Sequence, residues 1–281
     1  MSRAGSCPPP RPFFLAGSAG RLFALHVPAA GERTGQGVLL CPAFAEEMNK
    51  TRRQALLQAR AFAAAGRDVL IVDLHGTGDS DGDFAEARWE QWLDDLARGA
   101  AWLVEQGAGR LCLWGVRLGA LQALALAAGA LAPQVERVLL WQPVALGKAF
   151  VTQFLRLRIA AQLNAAGGGE TTASLRERLG AGEALEVAGY MLSPALVEAI
   201  DAQNLRAATP SVACAIDWVE IGGRGNGLTP ASAGAVKALE AAGATVVPHA
   251  VPGEPFWSTP ETTTVPGLAD AGVALLDARA A

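Results

Sequence analysis

Hydrophobic positions along this chain recur in two alternating rhythms. The segment RLFALHV (residues 21–27) alternates apolar and polar side chains, as a strand with one covered face does, whereas GVLLCPAF (37–44) and DVLIVDLHG (68–76) are unbroken apolar runs ending in turn residues. Unbroken runs of that length suit strands covered on both faces. Between them, residues 49–66 place Ala55, Leu56, Ala59, Phe62 and Ala63 at helical spacing and stop at Gly66. Strand, helix and strand in that order predict a βαβ unit. The pattern repeats with a helix over 88–107, a strand over 110–115, a helix from Leu118 to about Leu131 and a strand over 136–144. An α/β fold with a mostly parallel central sheet and helices on both faces follows, because each crossover must be right-handed and each strand is apolar throughout.

From about Gly147 to Arg206 the alternation stops. FVTQFLRLRIAAQLN sets Phe150, Phe154, Leu157 and Ala161 on one helical stripe, and a Gly-rich stretch follows. This predicts a helical cap inserted over the sheet, dividing the chain into a first core part (1–146), the cap (147–208) and a second core part (209–281). The rhythm resumes with a strand over 212–223, a helix over 230–243, a strand over 244–253 and a final helix near 262–279. Ligands of such sheets bind outside the carboxyl ends of the strands.

Composition narrows the function. Of 281 residues 51% are hydrophobic and 18% charged, a charged share below the roughly 25% of average domains. That deficit leaves room for an apolar pocket or interface. A net charge of −4 supplies no attraction to nucleic acid. The N-terminal stretch lacks the apolar core of a secretory signal, and the longest apolar stretch, near 123–132, is far short of the roughly 20 residues a membrane span needs. The expectation is a cytoplasmic chain without a transmembrane segment. Cys7, Cys41, Cys112 and Cys214 form no C-x-x-C pair, and Cys41 alone stands where a displaced nucleophile could act. No dinucleotide fingerprint and no metal-ligand spacing is present, so no cofactor is expected.

The chemistry concentrates at turns. Gly115-Val116-Arg117-Leu118-Gly119 has the glycines of the G-x-S-x-G nucleophile elbow, between a predicted strand and a predicted helix as that motif requires. CPAFAEEMNK follows an early strand, in the position of an oxyanion loop, and DLHGTGDSDGD resembles the D-x-x-G-x-G-x-S turn of many α/β-hydrolases. From about Gly20 onward the chain therefore resembles an α/β-hydrolase with an inserted cap. More narrowly, CPAFAEEMNKTRR, LHGTGDSDGDF, WGVRLGA, LLWQPVALGKAFVTQFLRLR and VPGEPFWST resemble the second of two α/β-hydrolase families associated with the exosortase A system. That system belongs to bacteria that sort proteins by a short C-terminal signal and make exopolysaccharide. The resemblance implies a superfamily, a genomic setting with a companion hydrolase as a possible partner, and the word hydrolase; it implies no substrate.

The triad positions, taken in chain order, are all altered. The nucleophile position carries Arg117, whose guanidinium cannot lose its proton and cannot attack a carbonyl. Asn226 is nearest to the acid position and Glu254 stands near the base position. His75, His249, Ser80 and Cys41 remain as candidate catalytic groups, but none forms a convincing dyad by spacing; His249 reads as structural and Ser80 as a turn residue. A half-buried guanidinium needs a carboxylate or an anionic ligand. The first expectation is an ion pair between Arg117 and Glu254, with Glu46 and Glu47 as further partners or as a solvated helix start. Phe44, Ala45 and Leu118 would supply oxyanion-hole N–H groups, and His75, Trp141, Gln142 and Trp257 would edge the pocket. Lys50, Arg52 and Arg53 read as a solvated helix face or as an anion entry. Three functions stay open: an enzyme acting on an ester, thioester or amide without serine; a non-catalytic protein gripping an acyl or anionic small molecule; and a partner subunit.

Overall fold

A computed structural model of the chain describes residues 8–163, 169–206, 211–222 and 227–278. Its centre is an eight-stranded sheet. The strands are β1 (Arg11–Ala16), β2 (Arg21–Val27), β3 (Gln36–Cys41), β4 (Asp68–Val72), β5 (Arg110–Val116), β6 (Val135–Trp141), β9 (Ala215–Gly222) and β10 (Val246–Pro252), in the order β1-β2-β4-β3-β5-β6-β9-β10. Pairing is antiparallel from β1 through β2 to β4 and parallel from there on. This is the α/β-hydrolase arrangement.

The apolar runs explain why both faces are covered. In β3, Val38 and Leu40 face one core and Leu39 and Cys41 the other; in β5, Cys112, Trp114 and Val116 alternate with Leu111 and Leu113. Helix α1 (Glu46–Ala64) and helix α8 (Leu268–Asp277) close the first face. Helices α2 (Trp89–Glu105), α3 (Gly119–Ala128) and α7 (Pro230–Ala241) close the second. Burying one Leu or Phe contributes about 1.5–3 kcal/mol, so the two cores are the main support of the sheet.

Several elements differ from the sequence expectation. Strand β1 was not anticipated; it pairs with β2 across its whole length. Helix α1 starts at Glu46 rather than Asn49, because its polar first turn lies outside the apolar stripe. The last helix begins at Leu268, since Pro266 and a left-handed Gly267 (φ 78°) interrupt the stretch before it.

Between β6 and β9 lie α4 (Gly147–Leu163), α5 (Thr172–Gly180), the hairpin β7 (Leu185–Val187) and β8 (Tyr190–Leu192), and α6 (Pro194–Asp201). The hairpin was not expected; its two-residue turn, Ala188-Gly189, holds both residues at positive φ (52° and 84°), as tight hairpins demand. The two ends of this segment are pinned together: Gly147 N–H donates to Gln203 O at 2.8 Å and Leu205 N–H to Ala145 O at 3.0 Å. Among the described residues no helix is long and apolar enough to cross a membrane.

Candidate functional site

Strands β3, β5 and β6 are adjacent and in parallel register, with Cys41 beside Gly115 and Val116 beside Trp141. Their carboxyl ends therefore deliver Ala45, Arg117 and Gln142 to one place. All three hold positive φ without being glycine: 49° at Ala45, 55° at Arg117 and 42° at Gln142. Ala188 on the inserted hairpin is the fourth such residue among those described, and it lines the same pocket as Arg117. Strained backbone of this kind costs about 1–3 kcal/mol per residue and gathers where geometry serves function.

The strain at Arg117 is held by its neighbours. Its N–H donates to Trp141 O at 3.0 Å and its carbonyl accepts from Val144 N–H at 3.2 Å. A Cβ at Gly119 would stand 2.1 Å from Cys41 O, and one at Gly115 2.5 Å from Ala120 Cα. Only glycine fits at either position.

The side chain of Arg117 is bound on three sides. Nε reaches both carboxylate oxygens of Glu47 at 3.2 Å and Nη2 reaches Oε1 at 3.0 Å, while Nη1 donates to Gln142 O at 3.2 Å. Its Cζ lies 5.0 Å from the ring centre of Trp257 and 6.0 Å from that of Phe150, a favourable placement for a cation over aromatic faces. The two charged side chains are 18% and 17% exposed, so the pair is half sheltered rather than sealed. Burial pushes the Glu47 carboxyl above the usual carboxylate range, outweighing the opposite pull of Arg117. Glu47 also sits in the first turn of α1, where the positive helix end favours a carboxylate.

Above the pair opens a cavity of about 700 Å³. Helix α4 gives it an apolar wall of Phe150, Phe154, Leu157 and Ala160, and Trp257 closes the far side. Glu46, Lys50, Gln153, Arg156 and Ser258 bring the polar lining. Lys50 donates to Thr259 O at 2.6 Å and lies 3.9 Å from Glu46, and Ser258 donates to Pro255 O at 3.2 Å.

Several sequence candidates stand elsewhere. The Arg117–Glu254 pair does not form: Arg117 is taken by Glu47, and Glu254 is exposed on the loop after β10. Trp141 is 1% exposed and packs between Trp114 and Phe256, so it is core and not rim. His75 is buried beneath its own turn, its N–H donating to Asp95 at 2.8 Å and its ring against Gly82. His249 accompanies Asp217 at 3.0 Å, lower in the sheet. Cys41 is fully buried and burial pushes its thiol up, which leaves no thiolate for attack. Ser80 bonds Asp73 O and accepts from Phe23 N–H at 2.8 Å, tying its turn to neighbouring strands. Of the three basic residues named in the first half of α1, Lys50 reaches the pocket, Arg52 pairs with Asp73 at 2.9 Å and Arg53 is exposed. Asn226 lies outside the described residues.

Phe44, Ala45 and Leu118 line a second, separate cavity of about 10 Å³ that shares no lining residue with the large one. Gln122 also faces it, and its buried Oε1 has no partner among the described residues. Such a space holds about one water molecule. Arg156, Ala188 and Ser258 were not singled out from sequence; only the Phe150, Phe154, Leu157 stripe hinted at the wall they complete.

Comparison with known proteins matches residues 32–224 to the family described as serine aminopeptidase, S33. The chain belongs to this hydrolase family. Solved structures agree in fold. Est1E from Butyrivibrio proteoclasticus, solved with ferulic acid, has a TM-score of 0.65 at 13% identity over 94% of this chain and 96% of its own. A putative hydrolase from Agrobacterium vitis S4 gives 0.62 at 20% identity over 96% and 98%. Mouse alpha/beta hydrolase domain-containing protein 10 gives 0.58 at 17% over 95% of each. No curated protein matches the chain.

Proposed function

We propose that this chain is a ligand-binding member of the hydrolase family in which Arg117 takes the place of the nucleophile and acyl-enzyme chemistry is absent. The observation that carries this reading is the Arg117–Glu47 pair, which occupies the elbow side chain with three hydrogen bonds and seats it against Trp257. A guanidinium has no nucleophilic lone pair to offer. Among the described lining residues there is no histidine and no cysteine, and the one hydroxyl, Ser258, is already donating. The residues expected to form an oxyanion hole face a cavity the size of one water, not the ligand pocket. What remains is a space of about 700 Å³, within the range that holds small ligands, with an apolar wall and a polar floor.

In this reading the exosortase A resemblance makes the chain the binding member of a cytoplasmic pair, with the companion hydrolase as its partner. Purified protein should neither label with a fluorophosphonate probe nor turn over p-nitrophenyl acyl esters, yet should bind medium-chain acyl compounds saturably, with binding weakened at least severalfold by Phe154→Ala. Turnover that persists in purified protein and disappears in Glu47→Gln would overturn the reading and make Glu47 a general base.

A further inference from the structure

Arg117 keeps hydrogen-bonding capacity after its internal contacts are counted. A guanidinium carries five N–H donors. Among the described residues, Nε and Nη2 turn to Glu47 and Nη1 to Gln142 O, which leaves one N–H on each Nη. Its charge, in contrast, is already matched by Glu47. The floor of the pocket thus offers donors without net charge.

The surroundings decide what can meet those donors. Lining the same cavity as Glu47 are Glu46 and Lys50 from its own helix, Arg117 from the elbow and Arg156 from α4, while the loop after β10 brings only uncharged Trp257 and Ser258. Lys50 is engaged with Thr259 O and Glu46, and Arg156 with Gln153 at 3.4 Å. Gln153 is uncharged, so Arg156 keeps its charge on the α4 wall, while Arg117 at the floor balances one carboxylate. Two carboxylates brought together in such a half-dry site keep one proton between them. Burial already raises the affinity of Glu47 for a proton.

We propose that the ligand is an elongated, apolar-tailed carboxylic acid whose carboxyl group takes the free Nη donors of Arg117 and shares one proton with Glu47. This rests on the binding reading above and names its ligand class. The acid arrives as an anion with one proton drawn from solvent, and only hydrogen bonds form. Where both carboxyls are ionised when apart, affinity falls about tenfold for each unit rise in pH. A neutral ligand with the same tail shows no such slope.

Titration calorimetry in buffers of different ionisation enthalpy, between about pH 7 and about pH 8.5, reads this linkage directly. The probes are decanoic acid, decanamide and decyl sulfate. Decanoic acid should take up one proton per molecule bound and weaken about tenfold per pH unit, decanamide should bind equally across the range, and decyl sulfate should bind at least about tenfold more weakly than decanoic acid at the lower pH. In Glu47→Gln the slope for decanoic acid should vanish and binding at the higher pH should tighten. No proton uptake by the wild-type protein, or decyl sulfate binding as tightly as decanoic acid, overturns the inference and moves the ligand's carboxylate to Lys50 or Arg156, leaving the binding reading intact. Failure of all three probes removes both. The proton count on the unmodified protein stands even if the variant does not fold.

Discussion

Two arginine–carboxylate pairs occupy different levels of the same sheet and have different fates. Arg137 on β6 grips Asp217 on β9 through Nε at 2.5 Å and Nη2 at 3.3 Å; His249 on β10 meets the same carboxylate at 3.0 Å, and Arg137 Nη1 reaches Ala278 O beyond α8. Asp217 is 1% exposed, and every contact of this cluster joins two elements of the core. Arg117 and Glu47 have the same bidentate chemistry, with Nη1 again on a backbone carbonyl, but Arg117 stands on strained backbone and both side chains line the ligand pocket. Identical ionic groups thus bolt the fold in one place and equip a surface in the other. What separates them is neither the pairing nor the donors left over, one on each Nη in both arginines, but the depth of the carboxylate, 1% exposed at Asp217 and 17% at Glu47.

Mutations should pull the two roles apart. The largest effect belongs to the pair with the deeper carboxylate: Asp217→Ala leaves the half-buried Arg137 guanidinium without its partner, and breaking a buried pair costs about 3–5 kcal/mol. A urea titration should show a lower midpoint with little change in slope; a loss near 1 kcal/mol would erase the contrast. Arg117→Ala should cost less, about 1–2 kcal/mol, because the pair is partly wet, while abolishing ligand binding seen in tryptophan fluorescence. Equal losses of stability in the two variants would mean that the elbow pair is also a bolt.

Acid should divide the inserted segment from the sheet. Hydrogen bonds from Arg158 hold the Glu170 carboxyl down at about 2, against the opposing effect of burial and with help from Gln162 and Arg178. A depressed carboxyl stabilises the folded state above its ordinary value of 4.5 and loses that contribution as pH falls toward 2. Hydrogen exchange should therefore rise first in α4 and α5 over that window, before β5 and β6; simultaneous exchange would count against a separately held cap. The smallest effect is expected of His249→Ala, below about 1 kcal/mol in the same urea titration, since its ring is 27% exposed and Asp217 keeps Arg137.

The sheet was legible because long apolar runs bounded by turns have few other readings, and GVRLG marked the elbow because two glycines flank a strand-to-helix switch. Glu47 was one of three carboxylates named for Arg117, yet sequence favoured Glu254. Chain order locates a loop after β10 but not the direction of its side chains, and there Trp257 turns inward while Glu254 stays in water. Trp141 misled for a related reason: it is the last residue of β6, and only the register beside Val116 puts it in the core rather than one step on at the rim. Strand β1 escaped because it has no buried position, and the β7–β8 hairpin because its strands are three residues each and Ala188-Gly189 is not a turn pair that announces itself.

The glycines at 115 and 119 carry one more implication. They are required by the approach of α3 to the ends of β3 and β5, a demand of packing that makes no reference to which side chain sits between them. The central position of the elbow is thus chemically free while its borders are not. The side chain at 117 can change without moving the glycines beside it, so a catalogue of substitutions there should be broad for folding among residues that accept a positive φ, and at 119 confined to glycine.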